Sequence, residues 1–393
     1  MLDKAEMRRR TRELLGRLNA AISPDTPVSG LGAAAMQMVE VARALACSCR
    51  VLIMDEPTTV LSQEETSTLF RIVRSLRDNG TSFIFISHKL HEVMELCDRV
   101  AVLRDGELVS CSGMDGLDEA ELARRMVGHA ASRLFPERPP LRPDAEMTLE
   151  VEGLSVRGLL HGVSFSLRAG EMLGFAGLMG AGRTEMAETI YGLRKATGGT
   201  IRVFGKTVRI GSPRQALDAG IAYLSEDRQG AGILTAFSLA FNISLPSLAR
   251  YCHPFISFAD EKAAARKYME AFHIKAPGED TAMEDLSGGN QQKAAIARGL
   301  DCGPRIFIFD EPTRGIDIQA KSEVYSFIAA LLEKGMACIL ISSDMEEIIG
   351  MCRRVAVMRG GRIEGILEEN GITEENIMML ASGLRPMTNV GPH

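Results

Sequence analysis

The chain has 393 residues, enough for two or three domains that each bury a core of their own. Hydrophobic residues make up 46% and charged residues 24%, and the net charge of −6 argues against nucleic acid as a partner, because phosphate backbones select basic surfaces. The longest apolar runs, Ile306 to Phe309 and Cys338 to Ile341, fall far short of the roughly 20 residues a membrane helix needs, so a role at a membrane would require docking on a partner that spans it.

In chain order, Met1 to Arg17 is highly charged and predicts an amphipathic helix rather than a signal peptide. The eight cysteines are scattered, with no CxxC pair and no histidine at metal-ligand spacing; Cys47 and Cys49 stand two apart at what reads as a helix end. They predict free thiols in a reducing cytosol. Val51 to Asp55 is an apolar run ending in an acid, followed by Glu56-Pro57-Thr58, and Phe83 to Ile86 is a second run, leading into Ser87-His88. Leu134 to Pro143 holds four prolines in ten residues, which can neither continue a helix nor fill a central strand, and so predicts a semi-rigid linker. Beyond it, Met147 to Val156 and Gly162 to Leu167 alternate as edge strands do.

Leu173 to Ala176 predicts a strand and Glu185 to Leu193 a helix, joined by Gly177-Leu-Met-Gly180-Ala181-Gly182-Arg183-Thr184. Strand, glycine-rich loop and helix form the context of a phosphate cradle, in which backbone N–H groups wrap an anion at a helix N-terminus. Thr184 stands where a hydroxyl would ligate magnesium. Arg183 occupies the place of the usual lysine, and a planar guanidinium does not substitute conservatively for a compact ammonium. Ile306 to Asp310 predicts a buried parallel strand that delivers Asp310 to its C-terminal edge, with Glu311 beside it to orient or deprotonate a water.

The second Asp-Glu-Pro-Thr is a copy of the first. Asp55 and Asp310 are 255 positions apart, and the same offset carries Leu31 to Leu286, Arg43 to Arg298, Ser87 to Ser342 and Arg99-Val-Ala-Val to Arg354-Val-Ala-Val. Roughly eighty residues align without a gap, so the chain contains a duplicated domain.

Leu286-Ser287-Gly288-Gly289-Asn290-Gln291-Gln292-Lys293, about twenty residues before Asp310, resembles the signature motif of ATP-binding-cassette proteins. Its logic is a serine and small residues at a helix N-terminus, which let backbone N–H groups approach a γ-phosphate. The phosphate loop, Ser225-Glu226-Asp227-Arg228, the signature and Asp310-Glu-Pro-Thr-Arg-Gly-Ile-Asp317 together look like the second cassette of monosaccharide importers of the ribose, galactose and xylose type. Gln37 to Leu45 resembles the matching stretch of their first cassette. The resemblance implies an α/β P-loop NTPase fold of the ABC ATPase kind, with two tandem cassettes and helical subdomains. Their bounds are expected at 1–129 (a first cassette without its phosphate loop), 130–146 (the linker) and 147–385 (a second cassette).

It also implies ATP and Mg2+ as ligands, transmembrane permease subunits as partners with a sugar-binding protein beyond them, possible pairing with a second ATPase copy, and a place on the cytoplasmic face of the membrane. Each ATP would be clamped between one cassette's phosphate loop and the other's signature. One site would then join Asp55, Glu56 and the switch histidine His88 to Ser287, Gly288, Gly289 and Asn290. The other would join Gly177, Gly180, Ala181, Gly182, Arg183, Thr184, Asp310 and Glu311 to the first signature, Leu31 to Ala35. Catalysis would fall to Glu56, His88 and Glu311, and Mg2+ to Thr184, Asp310 and Asp55. In the second site Gly32 replaces the signature serine, Ser343 the histidine, and Ser62 stands where Asp317 lies in the other copy, so slow turnover is expected there.

The offset would put the first phosphate loop about 78 residues before Met1, so the first cassette is expected to be incomplete and its half-sheet exposed and aggregation-prone. Glu226 to Arg228 is either the permease contact or a solvated charge run. Competing readings are a catalytically silent remnant and a nucleoside importer of the same architecture. Tandem cassette proteins of the ribosome usually have a long charged helix between cassettes, where this chain has a short proline-rich one.

Overall fold

A computed structural model describes residues 3–18, 20–46, 49–58, 61, 63–87, 89–104, 107–119, 121–122, 125, 134–138, 140, 144–227, 232–252 and 254–384. Cys47, Ser62, His88, Arg228 and the prolines at 139 and 143 lie outside these residues. The chain divides into two compact units, Met1–Ser132 and Arg133–His393. Among the described residues no helix is long and apolar enough to cross a membrane.

The first unit opens with α1 (Lys4–Arg17), whose N-terminus is capped by Asp3 accepting from the Ala5 and Glu6 amides. Its charged residues face solvent while Leu15 and Leu18 are buried, as the amphipathic pattern requires. Then follow α2 (Ala33–Ala46), β1 (Val51–Asp55), α3 (Gln63–Asp78), β2 (Ser82–Ile86), α4 (Leu90–Leu96), β3 (Arg99–Arg104) and β4 (Glu107–Gly113). β1 and β2 form a parallel pair, and β3 and β4 a separate antiparallel hairpin.

The second unit contains β5 (Met147–Val156), β6 (Leu160–Arg168), β7 (Met172–Gly177), α5 (Arg183–Tyr191), β8 (Gly198–Val203), β9 (Lys206–Val208), α6 (Pro213–Asp218) and β10 (Ile221–Leu224). It continues through α7 (Leu239–Ser244), α8 (Phe258–Phe272), α9 (Gly288–Asp301), β11 (Ile306–Asp310), α10 (Ile318–Glu333), β12 (Ala337–Ile341), α11 (Met345–Met351), β13 (Arg354–Arg359), β14 (Arg362–Glu368) and α12 (Glu374–Ala381). Its main sheet has the order β10-β11-β12-β7-β13-β14, parallel except for the final hairpin.

Every residue of β11 and β12 is buried, which is why both read as unbroken apolar runs. Alternate side chains serve two cores. Phe307, Phe309 and Leu340 join the helical side, whereas Ile306, Ile308, Ile339 and Ile341 pack with α5 and the four-stranded sheet β6-β5-β8-β9.

Local structure departs from the sequence reading in two places. β5 is not an edge strand: it lies between β6 and β8, and its alternation reflects an antiparallel sheet with one covered face. The helix after the glycine loop starts at Arg183 and ends at Tyr191, because Gly192 turns into the left-handed region at φ 80° and closes it. The proline-rich stretch, read as a semi-rigid linker, is held in place where it is described. Phe135 packs against Tyr325 (5.0 Å between ring centroids) and over Gly350, and Arg138 donates to the carbonyls of Ile349 (3.2 Å) and Cys352 (2.9 Å).

The duplication is reproduced element by element. Shifted by 255 residues, α2, β1, α3, β2, α4, β3 and β4 coincide at both ends with α9, β11, α10, β12, α11, β13 and β14. Even the irregularity in each hairpin recurs, between Val102 and Leu103 and between Val357 and Met358. One difference matters. In the second unit β7 lies between β12 and β13 and joins them into one sheet; among the described residues of the first unit β2 and β3 have no such strand between them. The face that β7, α5 and the small sheet cover in the second unit is therefore open in the first: Ile53 is 63% exposed and its counterpart Ile308 is 0%.

This contrast predicts unequal costs for one substitution. Ile308→Thr should destabilise the second unit by about 2–4 kcal/mol, since it removes a buried branch and buries a hydroxyl, whereas Ile53→Thr should stay within about 0.5 kcal/mol. Urea unfolding of both variants reads the difference.

Candidate functional site

The site grows from the way β7 is seated. Gly177 has φ 151°, and a Cβ there would lie 2.4 Å from the Met358 carbonyl oxygen, so only glycine lets the chain leave the sheet at this point. The loop then turns through Gly180 and Gly182 (φ 74° and 103°), with Gly182 capping α5. The Gly361 amide donates to the Ala181 carbonyl at 2.9 Å and ties the loop to the β13–β14 hairpin. The first amides of α5 have no intrahelical acceptor and carry the positive end of the helix dipole, an arrangement suited to a phosphate.

Opposite the loop, β11 presents Asp310 in full burial. The Tyr223 hydroxyl, from the neighbouring β10, donates to Oδ2 at 2.9 Å, while Oδ1 is buried without a hydrogen-bond partner. Burial pushes this carboxyl up to about 6, against the pull of the Tyr223 and Thr184 hydroxyls and of Arg183. A buried carboxylate oxygen with no partner, close to a threonine hydroxyl, fits a hard divalent cation that takes oxygen ligands, so Asp310 and Thr184 would hold Mg2+. Among the described residues no cluster of three or more His, Cys, Asp or Glu could hold a metal, so the remaining oxygens would come from nucleotide and water.

Glu311 follows in a left-handed conformation (φ 50°), its amide held by the Ile341 carbonyl at 2.8 Å. This turn lifts the side chain out of the strand, and the Ser343 hydroxyl donates to Oε2 at 3.1 Å. Burial raises the Glu311 pKa, Asp310 adds to the rise, and Ser343 and Arg183 oppose it. Arg183 Nη1 donates to the Ser342 carbonyl at 2.6 Å, so the residue standing in the lysine position reaches across to the turn after β12. The structure thus gathers Gly177, Gly180, Ala181, Gly182, Arg183, Thr184, Asp310 and Glu311 at the C-terminal edge of one sheet.

The other expected residues lie elsewhere. Ser287, Gly288, Gly289 and Asn290 form the start of α9, where Ser287 Oγ accepts from Asn290 Nδ2 (3.0 Å) and Asn290 Oδ1 accepts from the Lys275 amide (3.0 Å). Gly289 is needed for packing, because a Cβ there would come within 2.8 Å of Ala320 Cβ on α10. In the first unit Asp55 and Glu56 repeat the backbone of Asp310 and Glu311: Glu56 has φ 47° and its amide bonds the Ile86 carbonyl at 2.9 Å. His88, the third member expected there, lies outside the described residues. Glu226 forms an ion pair with Arg314, which accounts for part of the charged loop without any partner.

Sequence reasoning missed Tyr223, whose only signal was its place at the end of an apolar run. It also missed a buried glutamate behind each switch turn, Glu92 and Glu347, although the 255-residue offset relates them.

A family model described as "ABC transporter" matches residues 160–314. A ribose import ATP-binding protein of Rubrobacter xylanophilus is 46% identical over 385 residues, 97% of this chain and 76% of that protein. An ATP-binding protein of Pseudomonas syringae pv. tomato, assigned to ribose, galactose or methyl galactoside import, is 44% identical over 386 residues, 98% of this chain and 73% of that protein. Among solved structures, an ATP-binding cassette of an ABC transporter aligns with a TM-score of 0.51 at 22% identity, covering 60% of this chain and 95% of that one. A dimeric bacterial ABC transporter cassette aligns with a TM-score of 0.50 at 20% identity, covering 57% and 99%. The structural likenesses carry the fold and the sequence relatives carry the family: the chain belongs to the ATP-binding proteins of ABC transporters.

Proposed function

We propose that the chain is the ATP-binding and ATP-hydrolysing subunit of an importer for a monosaccharide, and that it works by closure of two cassettes that switches a partner permease. The observation that carries this is the convergence of the glycine loop, Arg183, Thr184, Asp310 and Glu311 at one sheet edge, in a chain whose relatives are named for ribose or galactoside import. Residues 1–129 are then part of a first cassette, 130–146 a linker and 147–385 a second cassette. The permease would receive the cassettes at the cytoplasmic face of the membrane, with a sugar-binding protein on its far side.

The residues divide the work as their positions allow. The amides of the loop and of the first turn of α5 bind phosphate oxygens, and Arg183 adds a fixed positive charge. Mg2+, when bound, would neutralise charge on the phosphates, and Thr184 and Asp310 would hold it. Glu311 stands where it can orient a water, and Ser343 fixes its carboxyl. A serine hydroxyl in the histidine position cannot take up a proton near neutral pH as an imidazole does, so this site would bind nucleotide and turn it over slowly. The faster site would draw its acids and switch residue from Asp55, Glu56 and His88.

Two outcomes test this. Asp310→Asn and Thr184→Val should each weaken magnesium-dependent binding of a fluorescent ATP analogue by about tenfold or more, with little effect on magnesium-free binding; equal losses with and without magnesium would contradict the metal assignment. Where the first cassette is completed by a phosphate loop, Glu56→Gln should lower steady-state ATP hydrolysis by about 100-fold, within the range of removing a general base, and Glu311→Gln by no more than a few-fold. Comparable losses would contradict the unequal sites.

A further inference from the structure

Behind each acid–switch pair lies a glutamate that the chemistry above does not use. In the second unit Glu347 is 1% exposed on α11, and its Oε1 accepts from Thr313 Oγ1 at 3.1 Å. Thr313 belongs to the turn that follows Glu311, and the Tyr325 hydroxyl lies 3.4 Å from its Oγ1. Oε2 of the same carboxyl is buried without a hydrogen-bond partner, and the Ser342 hydroxyl accepts from the Asp344 amide at 3.0 Å. The Thr313 bond therefore ties the turn after β11 to α11, the helix that starts directly after the turn following β12.

The first unit repeats this at the same offset. Glu92, also 1% exposed, accepts from Thr58 Oγ1 at 2.7 Å and from Ser87 Oγ at 3.2 Å, and Ser87 Oγ accepts from the Lys89 amide at 3.1 Å. The two copies have diverged at the residues that face the nucleotide in the functional reading: His88 against Ser343, Gly32 against Ser287 and Ser62 against Asp317. The threonine, serine and glutamate behind them are the same. A buried carboxyl is costly unless its hydrogen bonds repay it, so its presence at both positions calls for a role that both copies share.

We propose that Glu347, and Glu92 in the first unit, are positioning residues that lock the switch turn to the turn after the catalytic carboxylate. In the second unit, on the reading that this site binds ATP, the consequence falls on Arg183. The Ser342 carbonyl receives the guanidinium at 2.6 Å, so a turn held through Glu347 fixes where the Arg183 guanidinium sits beside the loop. The turn also places the Ser343 hydroxyl on Glu311 at 3.1 Å. The two units neutralise the buried carboxyl differently. Lys89 Nζ lies 3.2 Å from Glu92 Oε1, whereas the matching position is Asp344, whose own ion pair is with Lys321 on α10 at 2.9 Å. Burial lifts the Glu347 carboxyl to about 7, with Asp344 and Glu311 raising it and Ser342 and Lys321 lowering it.

The test is a mutant cycle on the full chain, read as the Kd of mant-ATP with magnesium. Glu347→Gln keeps a side-chain oxygen for Thr313 and should bind within about twofold of the parent, while Glu347→Ala should weaken binding about tenfold, equivalent to about 1.4 kcal/mol. Arg183→Lys keeps a phosphate-binding cation but removes the guanidinium fork, and in that background Glu347→Ala should add less than about twofold, because contacts in one chain of bonds are not additive. Equal weakening in both backgrounds would make Glu347 a structural residue only and overturn the proposal, as would parent-like or tighter binding by Glu347→Ala. If circular dichroism shows Glu347→Ala unfolded, Thr313→Val takes its place in the cycle with the same expectations. Failure of the parent to bind mant-ATP would instead refute the ATP-site reading on which the proposal rests.

Discussion

The site depends on β7 lying between β12 and β13. That seat demands glycine at two positions: a Cβ at Gly174 would come within 2.9 Å of Cys352 Sγ, and one at Gly177 would strike the Met358 carbonyl. Because the strand is central and parallel, its C-terminal end opens at the same edge as that of β11, two strands away in the sheet. Phosphate loop and acid thereby meet without either having to reach, and α5 starts with its positive end directed at the gap.

Burial then sets the chemistry. Asp310 is desolvated, held by Tyr223 through one oxygen and left unpartnered at the other, which stabilises a cation more than a proton once one arrives. Glu311 escapes the strand only because its backbone takes the left-handed conformation, a local strain that recurs at Glu56. Recurrence of that strain in both units ties it to the job of presenting a carboxylate rather than to an accident of packing.

Among the described residues of the first unit no strand joins β2 to β3 as β7 joins β12 to β13 in the second. β1–β2 and β3–β4 keep the pairing, register and irregularities of their counterparts, yet they form two separate sheets. Pairing between neighbouring strands is therefore encoded locally, while continuity of the sheet is not. Val51, Ile53, Ile84 and Ile86 carry the apolar pattern of a buried face and stand exposed, since pattern records what a strand is built to meet, not what it meets.

Much of this was legible in the residues alone. The buried strand ending at Asp310 and the glycine loop are carried by an apolar run and by glycine spacing, which act over a few residues; the repeat is carried by a constant offset of 255 positions, and the signature helix by its resemblance to a known motif. The edge assignment of β5 failed because alternation reports one covered face and says nothing about the neighbour on either side. The bond of Tyr223 to Asp310, the reach of Arg183 to Ser342, and the bonds of Thr58 to Glu92 and Thr313 to Glu347 were decided only by tertiary structure. They join residues 34 to 159 positions apart, and such contacts exist only once parallel strands have set distant chain segments side by side, a long-range arrangement that no local pattern specifies.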